Sequence, residues 1–240
     1  MATYFLSDVH GEYELFCKLL DEIRFCNSDA MIVLGDFIDK GSNSIKLAKL
    51  IFDAPNIRAI CGNHEHAFIA YYNGLMKAFE DDCDINIVLG KLQNYFQGET
   101  ERLTWDIIDY IESLPDYIEA DDYICVHAGL ELDNNARIIP LSKQNRNFFI
   151  FDRRFKDEGV VPQNGKTVLF GHTPCHYKNG TGHIIKTPRK DCDLSSRRIR
   201  DFAKVQLDNG VAHTNMIGCL RLEDMKEFYV RKERFSKPRI

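Results

Sequence analysis

The sequence predicts an α/β fold. Three observations lead there. Short apolar runs rich in strand-forming residues recur along the chain, amphipathic stretches of helical spacing separate the first of them, and the runs end in glycine beside Asp, His or Asn. The strand candidates are residues 4–6, 30–34, 57–61, 123–126 and 167–170, nearly continuous apolar runs that suit strands buried on both faces. Residues 12–25 place Leu15, Leu19, Leu20 and Ile23 on one helical stripe, and residues 44–52 do the same with Ile45, Leu47, Ala48, Leu50 and Ile51. Strand, helix, strand, helix, strand reads as two crossover units of about 30 residues each.

Residues 67–120 change character. Residues 67–79 and 104–114 have helical spacing with polar, charged segments between them, which predicts a helical insertion within one domain spanning 1–240. Pro115 marks the return towards the sheet. The end of the chain carries short runs at 204–207, 219–222 and 227–230, separated by turn residues and expected as antiparallel strands.

Composition narrows the function classes. The 240 residues are 44% apolar and 28% charged, an ordinary globular balance that excludes wholesale disorder. With 31 basic against 36 acidic residues the net charge is −5, so a non-specific nucleic-acid partner is not expected. No apolar stretch is long enough for a spanning helix, and an acid at Asp8 interrupts the start before a signal peptide develops. The eight cysteines form no CxxC pair, and several lie inside apolar runs. They predict buried free thiols and a cytoplasmic protein without a membrane association.

Chemistry gathers where the strands end. The first run leads into Ser7-Asp8-Val9-His10-Gly11, the second into Gly35-Asp36-Phe37-Ile38-Asp39-Lys40-Gly41, and the third into Gly62-Asn63-His64-Glu65. The fourth leads into His127-Ala128-Gly129 and the fifth into Gly171-His172-Thr173. Open α/β sheets bind ligands at the carboxyl ends of their strands. Singly, each piece has a bland reading: a histidine in an apolar run is commonly structural, Asp36 or Asp39 suits a turn, and Asn63 suits a helix N-cap. Five such ends in succession are a different matter. Carboxylate and imidazole donors suit divalent Mn, Fe or Zn. Asp8 and His10, two apart, face the same way on extended backbone. Two cations sharing one carboxylate keep a positive excess that favours hydroxide and phosphate, the arrangement for in-line displacement at phosphorus.

Taken together, Asp8-x-His10-Gly11, Gly35-Asp36-x-x-Asp39-x-Gly41, Gly62-Asn63-His64-Glu65, His127-Ala128-Gly129 and Gly171-His172-Thr173 resemble the motif set of the metallophosphoesterases. The resemblance is nearest to the bacterial and phage serine/threonine-type phosphoprotein phosphatases, and the diadenosine tetraphosphatases share most of the same set. It runs from Asp8 to about Leu222 and implies an α/β/β/α sandwich. It also implies two divalent metal ions, with manganese first and iron or zinc as alternatives. Asp8 and His10 would bind one metal, Asp36 would bridge, and Asn63, His127 and His172 would complete the second. A metal-bridging hydroxide would attack phosphorus directly, with no covalent phosphoenzyme. His64 would protonate the leaving oxygen, oriented by Asp39. The implied substrates are phosphoserine, phosphothreonine or phosphotyrosine in proteins, with a dinucleoside polyphosphate or another phosphorylated small molecule as the alternative. The oligomeric state is not legible.

The chain departs from that pattern in places. Lys40 stands where the family usually has Arg, so it either holds phosphate as a point charge or is a solvated residue. Cys61 precedes Gly62 where related enzymes often have Arg. Phe151-Asp152-Arg153 occupies the place of a Trp-x-Arg pattern, which makes Arg153 rather than Arg154 the second phosphate-binding candidate. Asp208-Asn209-Gly210 resembles an Asp-Thr-Gly turn and is given a structural role. The 36-residue step from His172 to Asp208 holds a basic cluster at Arg189, Lys190, Arg197, Arg198 and Arg200. That cluster is either a solvated loop or a border of the site that draws in anionic substrates.

Overall fold

The computed structural model describes residues 1–79, 85–96, 98–163, 165–189, 192 and 198–233. Two five-stranded sheets form its centre. The first has the order β10-β9-β1-β2-β3, built from β1 (Thr3–Leu6), β2 (Ala30–Val33), β3 (Ile57–Ala59), β9 (Met216–Arg221) and β10 (Glu227–Arg231). The second has the order β4-β5-β6-β8-β7, built from β4 (Tyr117–Glu119), β5 (Tyr123–Val126), β6 (Thr167–Phe170), β7 (Ile185–Pro188) and β8 (Phe202–Gln206). Strands β1, β2 and β3 run parallel through the two crossover helices α1 (Tyr13–Glu22) and α2 (Ser44–Asp53).

Alternation along each strand sorts side chains into layers. Phe5, Ile32 and Leu34 from the first sheet meet Cys125, Leu169 and Val205 from the second, and Phe5 packs edge-on to Tyr123 at 5.0 Å between ring centroids. Their neighbours Tyr4, Leu6, Met31 and Val33 face the other way, towards Leu15, Phe16 and Leu19 of α1 and Ile45 and Ile51 of α2. On the second sheet Ile124, Val126, Val168 and Phe170 take the outer face with Phe149 and Ile150 of α6 (Arg146–Phe151). The result is the helix–sheet–sheet–helix sandwich expected. Truncating a side chain such as Phe5, which has no exposed surface, costs about 3–5 kcal/mol.

Several expectations change in detail. Helix α3 (Asn63–Phe79) starts four residues before the predicted one, so Asn63, His64 and Glu65 form its first turn. Helix α4 (Ile85–Tyr95) was hidden by weak amphipathicity: only Val88 and Leu92 are buried on it. Helix α5 (Trp105–Glu112) lies inside the predicted 104–114. Strands β4 and β7 are edge strands with half-exposed residues, and neither carries an apolar run that sequence reading would register. Strand β8 was expected to be antiparallel; it is antiparallel to β7 and parallel to β6, because the long connection after β6 returns the chain to the same end of the sheet. The β9–β10 hairpin is antiparallel as expected. Among the described residues every cysteine is free, Cys83 lying outside them, and no helix is long and apolar enough to cross a membrane.

Candidate metal centre and catalytic cleft

Each candidate residue follows the carboxyl end of a strand: Asp8 and His10 after β1, Asp36 and Asp39 after β2, Asn63 and His64 after β3, His127 after β5 and His172 after β6. The backbone there is held in a conformation most side chains avoid. Of the ten non-glycine residues with positive φ among the described residues, six are Asp8, His10, Asp36, Asp39, Lys40 and His172, with φ between 48° and 69°. Such residues cost about 1–3 kcal/mol each and persist only where surrounding structure fixes them. Two glycines make the approach possible. A Cβ on Gly62 would collide with the Asp36 carboxylate, and one on Gly171 would collide with Ser7 and Asp8.

The hydrogen bonds fix which atoms face the centre. His127 Nδ1 lies 2.8 Å from the Leu34 carbonyl oxygen, which can only accept, so Nδ1 carries the proton and Nε2 carries a lone pair. That lone pair meets two further acceptors, Asn63 Oδ1 at 3.1 Å and Asp36 Oδ1 at 3.4 Å, and His172 Nδ1 lies 3.2 Å away. Asn63 Oδ1 is also 2.7 Å from His172 Nδ1. Asn63 is therefore turned into the cluster and does not cap its helix. His10 repeats the device: Nδ1 lies 3.3 Å from the Ile38 carbonyl, and Nε2 is left 3.9 Å from Asp8 Oδ1 and 3.9 Å from Asp36 Oδ2. The Lys40 ammonium stands 2.9 Å from that Nε2, a cation against the lone pair.

These lone pairs form two groups that could hold a metal ion, His10 with Asp36 and His64, and Asp36 with His127 and His172. Asp36 belongs to both. Asp8 lies beside the first group, its Oδ2 accepting from Ser7 Oγ and from the His172 amide at 3.0 Å, its Oδ1 turned to His10. The donor set fits two divalent cations on this structure's own terms. Convergent acceptors repel unless a proton or a cation joins them, and the His172 Nε2 atom is buried without a partner among the described residues. Burial pushes the Asp36 carboxyl well above its usual range, with Asp8 and Glu65 adding to the effect. Burial also holds His10 well below its ordinary value, helped by Lys40, and takes His172 down to about 3, helped by His127. The site thus holds His10 and His172 as neutral imidazoles, the form that binds metal, while the raised Asp36 carboxyl would give up its proton as a cation binds.

His64 stands at the rim. Its Nδ1 is 2.7 Å from Asp39 Oδ2 and its Nε2 is 3.7 Å from Asp36 Oδ2. Burial and Lys40 lower its pKa, and the Asp39 hydrogen bond opposes them. The cleft beside it, about 150 Å³, is lined by Asp8, His10, Lys40, Arg153, His172 and Asp208 among others. Lys40 and Arg153 thus share one space with the candidate ligands Asp8, His10 and His172, whereas Arg154 pairs with Asp152 on the surface.

Three residues matter more than sequence reading allowed. Glu65, quoted in its motif without a role, has no exposed surface and accepts from four backbone amides, those of Asp36, Phe37, Ile38 and Gly62. Asp208 does hold a turn, its Oδ1 accepting from the Gly210 amide at 2.7 Å, but it also lines the cleft from the end of β8. Lys204 is buried, and its ammonium donates to the carbonyls of Phe155, Asp157 and Val160, fastening the loop that follows Arg153. A charged residue inside an apolar strand was the available signal for Lys204.

The basic cluster is placed elsewhere. Arg198 and Arg200 line a separate cleft with Asp121, Asp122 and Tyr123, Arg200 paired to Asp122 at 2.6 Å, and Arg189 donates to the Gly165 carbonyl. These positions are at the amino ends of β5, β6 and β8, the opposite end of the sheet from the metal-ligand candidates. The expectation that the cluster borders the site is therefore not met by its described members. Lys190 and Arg197 lie outside the described residues.

Fold and site together place two groups that could hold metal ions, sharing Asp36, at the strand ends of a double-sheet sandwich. Residues 1–211 match the calcineurin-like phosphoesterase family, and the chain belongs to that family. Similar curated proteins include the symmetrical bis(5'-nucleosyl)-tetraphosphatase of Buchnera aphidicola subsp. Acyrthosiphon pisum, 28% identical over 141 residues, 58% of this chain and 43% of that protein. The protein of the same name from Chromobacterium violaceum is 30% identical over 132 residues, 54% of this chain and 44% of that protein. The matched stretch thus spans less than half the length of these relatives. Among solved structures, a candidate diadenosine tetraphosphatase superposes with a TM-score of 0.67 at 16% identity, covering 96% of this chain and 93% of that one. The cold-active protein-tyrosine phosphatase of a Shewanella species superposes at 0.55, also at 16% identity, covering 96% and 77%. At that identity both speak for the fold alone.

Proposed function

We propose that this chain is a metal-dependent phosphoesterase that hydrolyses dinucleoside polyphosphates. One observation carries the hydrolase reading: Asp36, Asn63, His127 and His10 present converging ligand atoms, and the candidate ligands Asp8, His10 and His172 line one cleft with Lys40 and Arg153. The curated relatives, named as bis(5'-nucleosyl)-tetraphosphatases, support the polyphosphate substrate over the phosphoprotein that sequence reading put first.

Asp8, His10 and Asp36 would hold one divalent cation, and Asp36, Asn63, His127 and His172 the second, manganese suiting this donor set and iron or zinc being compatible. Such a pair supplies Lewis acidity and a water nucleophile at neutral pH. The chain's residues do the rest. Lys40 and Arg153 offset the charge of the phosphoryl oxygens, Arg153 with its planar fork and Lys40 as a point charge. His64, with Nδ1 held by Asp39 and Nε2 3.7 Å from Asp36 Oδ2, delivers a proton to the departing oxygen. Burial keeps His10 and His172 unprotonated, so they do not compete for that proton.

The unit that does this is read as one domain. Phe68 of α3, Val88 and Leu92 of α4 and Ile107 of α5 join the apolar cluster that also holds Leu6 and Val33, so these three helices pack onto the same core. The free thiols accord with a reducing compartment, the cytoplasm.

A phosphomonoester on a protein is the second reading, favoured by the His64–Asp39 pair, since an alkoxide leaves far less readily than a phosphate and needs the acid more. Turnover of diadenosine tetraphosphate and of a phosphoserine peptide, each with Mn added, separates the two. The dinucleotide is expected to have at least tenfold higher kcat/KM. A better phosphopeptide would reverse the substrate assignment, and activity indifferent to EDTA would remove the metal mechanism.

A further inference from the structure

Beside the cleft three aromatic rings cluster outside the machinery described so far. His176 and Tyr177 lie on α7 (His176–Asn179), which follows β6 and the His172 turn, and His213 lies on α8 (Val211–Thr214), which follows β8 and Asp208. The His176 ring lies 4.2 Å from Tyr177 and 4.8 Å from His213, centroid to centroid, at interplanar angles of 46° and 40°. Tyr177 and His213 are 6.0 Å apart. Both line the same cleft as Asp8, His10, Lys40 and Arg153. Yet Tyr177 is 65% exposed, so its ring is braced from behind by histidine and open in front.

The cleft itself is small. Its 150 Å³ is well below the roughly 300–1,000 Å³ of a pocket that encloses a whole organic ligand. Phosphoryl groups fit there, and whatever they are attached to must lie across the rim, where these rings stand. A flat π-face beside a cationic phosphate wall is the combination by which proteins hold nucleotides without reading base identity.

We propose that Tyr177, backed by His176 and His213, is a stacking platform for the nucleobase of a nucleotide whose phosphates occupy the metal-lined cleft. The proposal deepens the polyphosphate reading above and rests on it for the identity of the substrate. It makes Tyr177 a specificity-determining residue that contributes to binding and takes no part in proton transfer.

The test compares ligands that differ only in the base. Adenosine 5'-monophosphate and ribose 5-phosphate are titrated into the Mn-loaded protein by calorimetry, for wild type, Tyr177→Ala and Tyr177→Phe. Wild type is expected to bind the nucleotide about tenfold more tightly than ribose 5-phosphate. Tyr177→Ala should erase that preference while leaving ribose 5-phosphate affinity unchanged, and Tyr177→Phe should retain it. The ring is exposed, so neither variant disturbs the core. No preference in wild type, or a preference that survives Tyr177→Ala, overturns the platform. Kinetics on diadenosine tetraphosphate and on inorganic tripolyphosphate keep the two proposals apart. A wild type that ignores the dinucleotide but shows the Tyr177-dependent preference refutes the substrate and leaves the platform standing. A wild type that cleaves it, with kcat/KM unmoved by Tyr177→Ala, refutes the platform alone.

Discussion

The carboxylate of Glu65 holds the backbone of Asp36: its Oε2 accepts the Asp36 amide at 2.8 Å while Oε1 takes the next two amides, from Phe37 and Ile38, at 3.0 and 3.2 Å. A helix residue thereby fixes the loop that carries the carboxylate shared by both candidate metal groups. Burial raises the Glu65 pKa and the backbone hydrogen bonds oppose it, so the four amides are what keep the anion in place. Glu65→Gln turns one acceptor into a donor that faces N–H groups. An unpaired buried donor costs about 1–3 kcal/mol, so a loss of about 2–4 kcal/mol is expected in chemical denaturation, together with weaker Mn binding. An unchanged midpoint would show that the clamp does not matter.

His64→Asn removes the proposed proton donor and leaves Asp8, His10, Asp36, Asn63, His127 and His172 in place. General-acid catalysis is worth about 10²–10⁴-fold. The loss in kcat should reach about 100-fold on a phosphoserine peptide and stay under about tenfold on diadenosine tetraphosphate, whose leaving group is already acidic. Equal losses on the two substrates would contradict the role given to His64.

Arg153 and Arg154 are neighbours in sequence but differ in placement. Arg153 lines the cleft, and Arg154, paired to Asp152, is 76% exposed at its side chain. Arg153→Ala is expected to raise KM for a polyphosphate by about tenfold or more, consistent with charge-assisted contacts to phosphate. Arg154→Ala should leave kinetics and stability within error. The reverse pattern in steady-state assays would move the phosphate contact to the other arginine.

Acid should weaken the metal-free fold in a defined window. Burial, then the neighbouring His127, depresses His172 from its ordinary 6.5 to about 3. Between those values the unfolded chain takes up a proton that the folded chain refuses. Stability from this group is complete above pH 6.5 and falls as pH drops towards 3, with a slope of at most about 1.4 kcal/mol per pH unit. Urea titrations in EDTA should show a shallower pH dependence for His172→Asn than for wild type. Parallel curves would mean that His172 titrates normally.

Lys204 tests the loop. Its ammonium binds three backbone carbonyls of residues 155–160, and burial lowers its pKa to about 8. Lys204→Met leaves those carbonyls unpaired. The expected result is a higher KM through Arg153, with kcat largely kept, and faster proteolysis near residue 157. A change in kcat alone would argue against a positioning role.

The sequence was informative where chemistry and local periodicity coincide. The parallel strands β1, β2, β5 and β6 read as apolar runs because both faces are buried, and their ends read as Asp or His beside glycine. Edge strands β4 and β7 and helix α4 did not read, because half-exposed elements carry little pattern. Asn63 read as equally good for a cap, since only its neighbours in space, His127 and His172, reveal where its oxygen points.

By itself the sequence determined the donor types and their order along the chain, since strand ends and turn glycines are local properties that a few adjacent residues specify. Only the tertiary structure decided the rest. It brought residues 8, 36, 63, 127 and 172 together, gave Glu65 its four amides, set Arg153 beside Lys40 in one cleft, and sent Arg198 and Arg200 to the far end of the sheet. Those outcomes depend on which strands pair and which ends they share, and strand order is set by packing between residues more than a hundred positions apart, as with the His172 amide on Asp8.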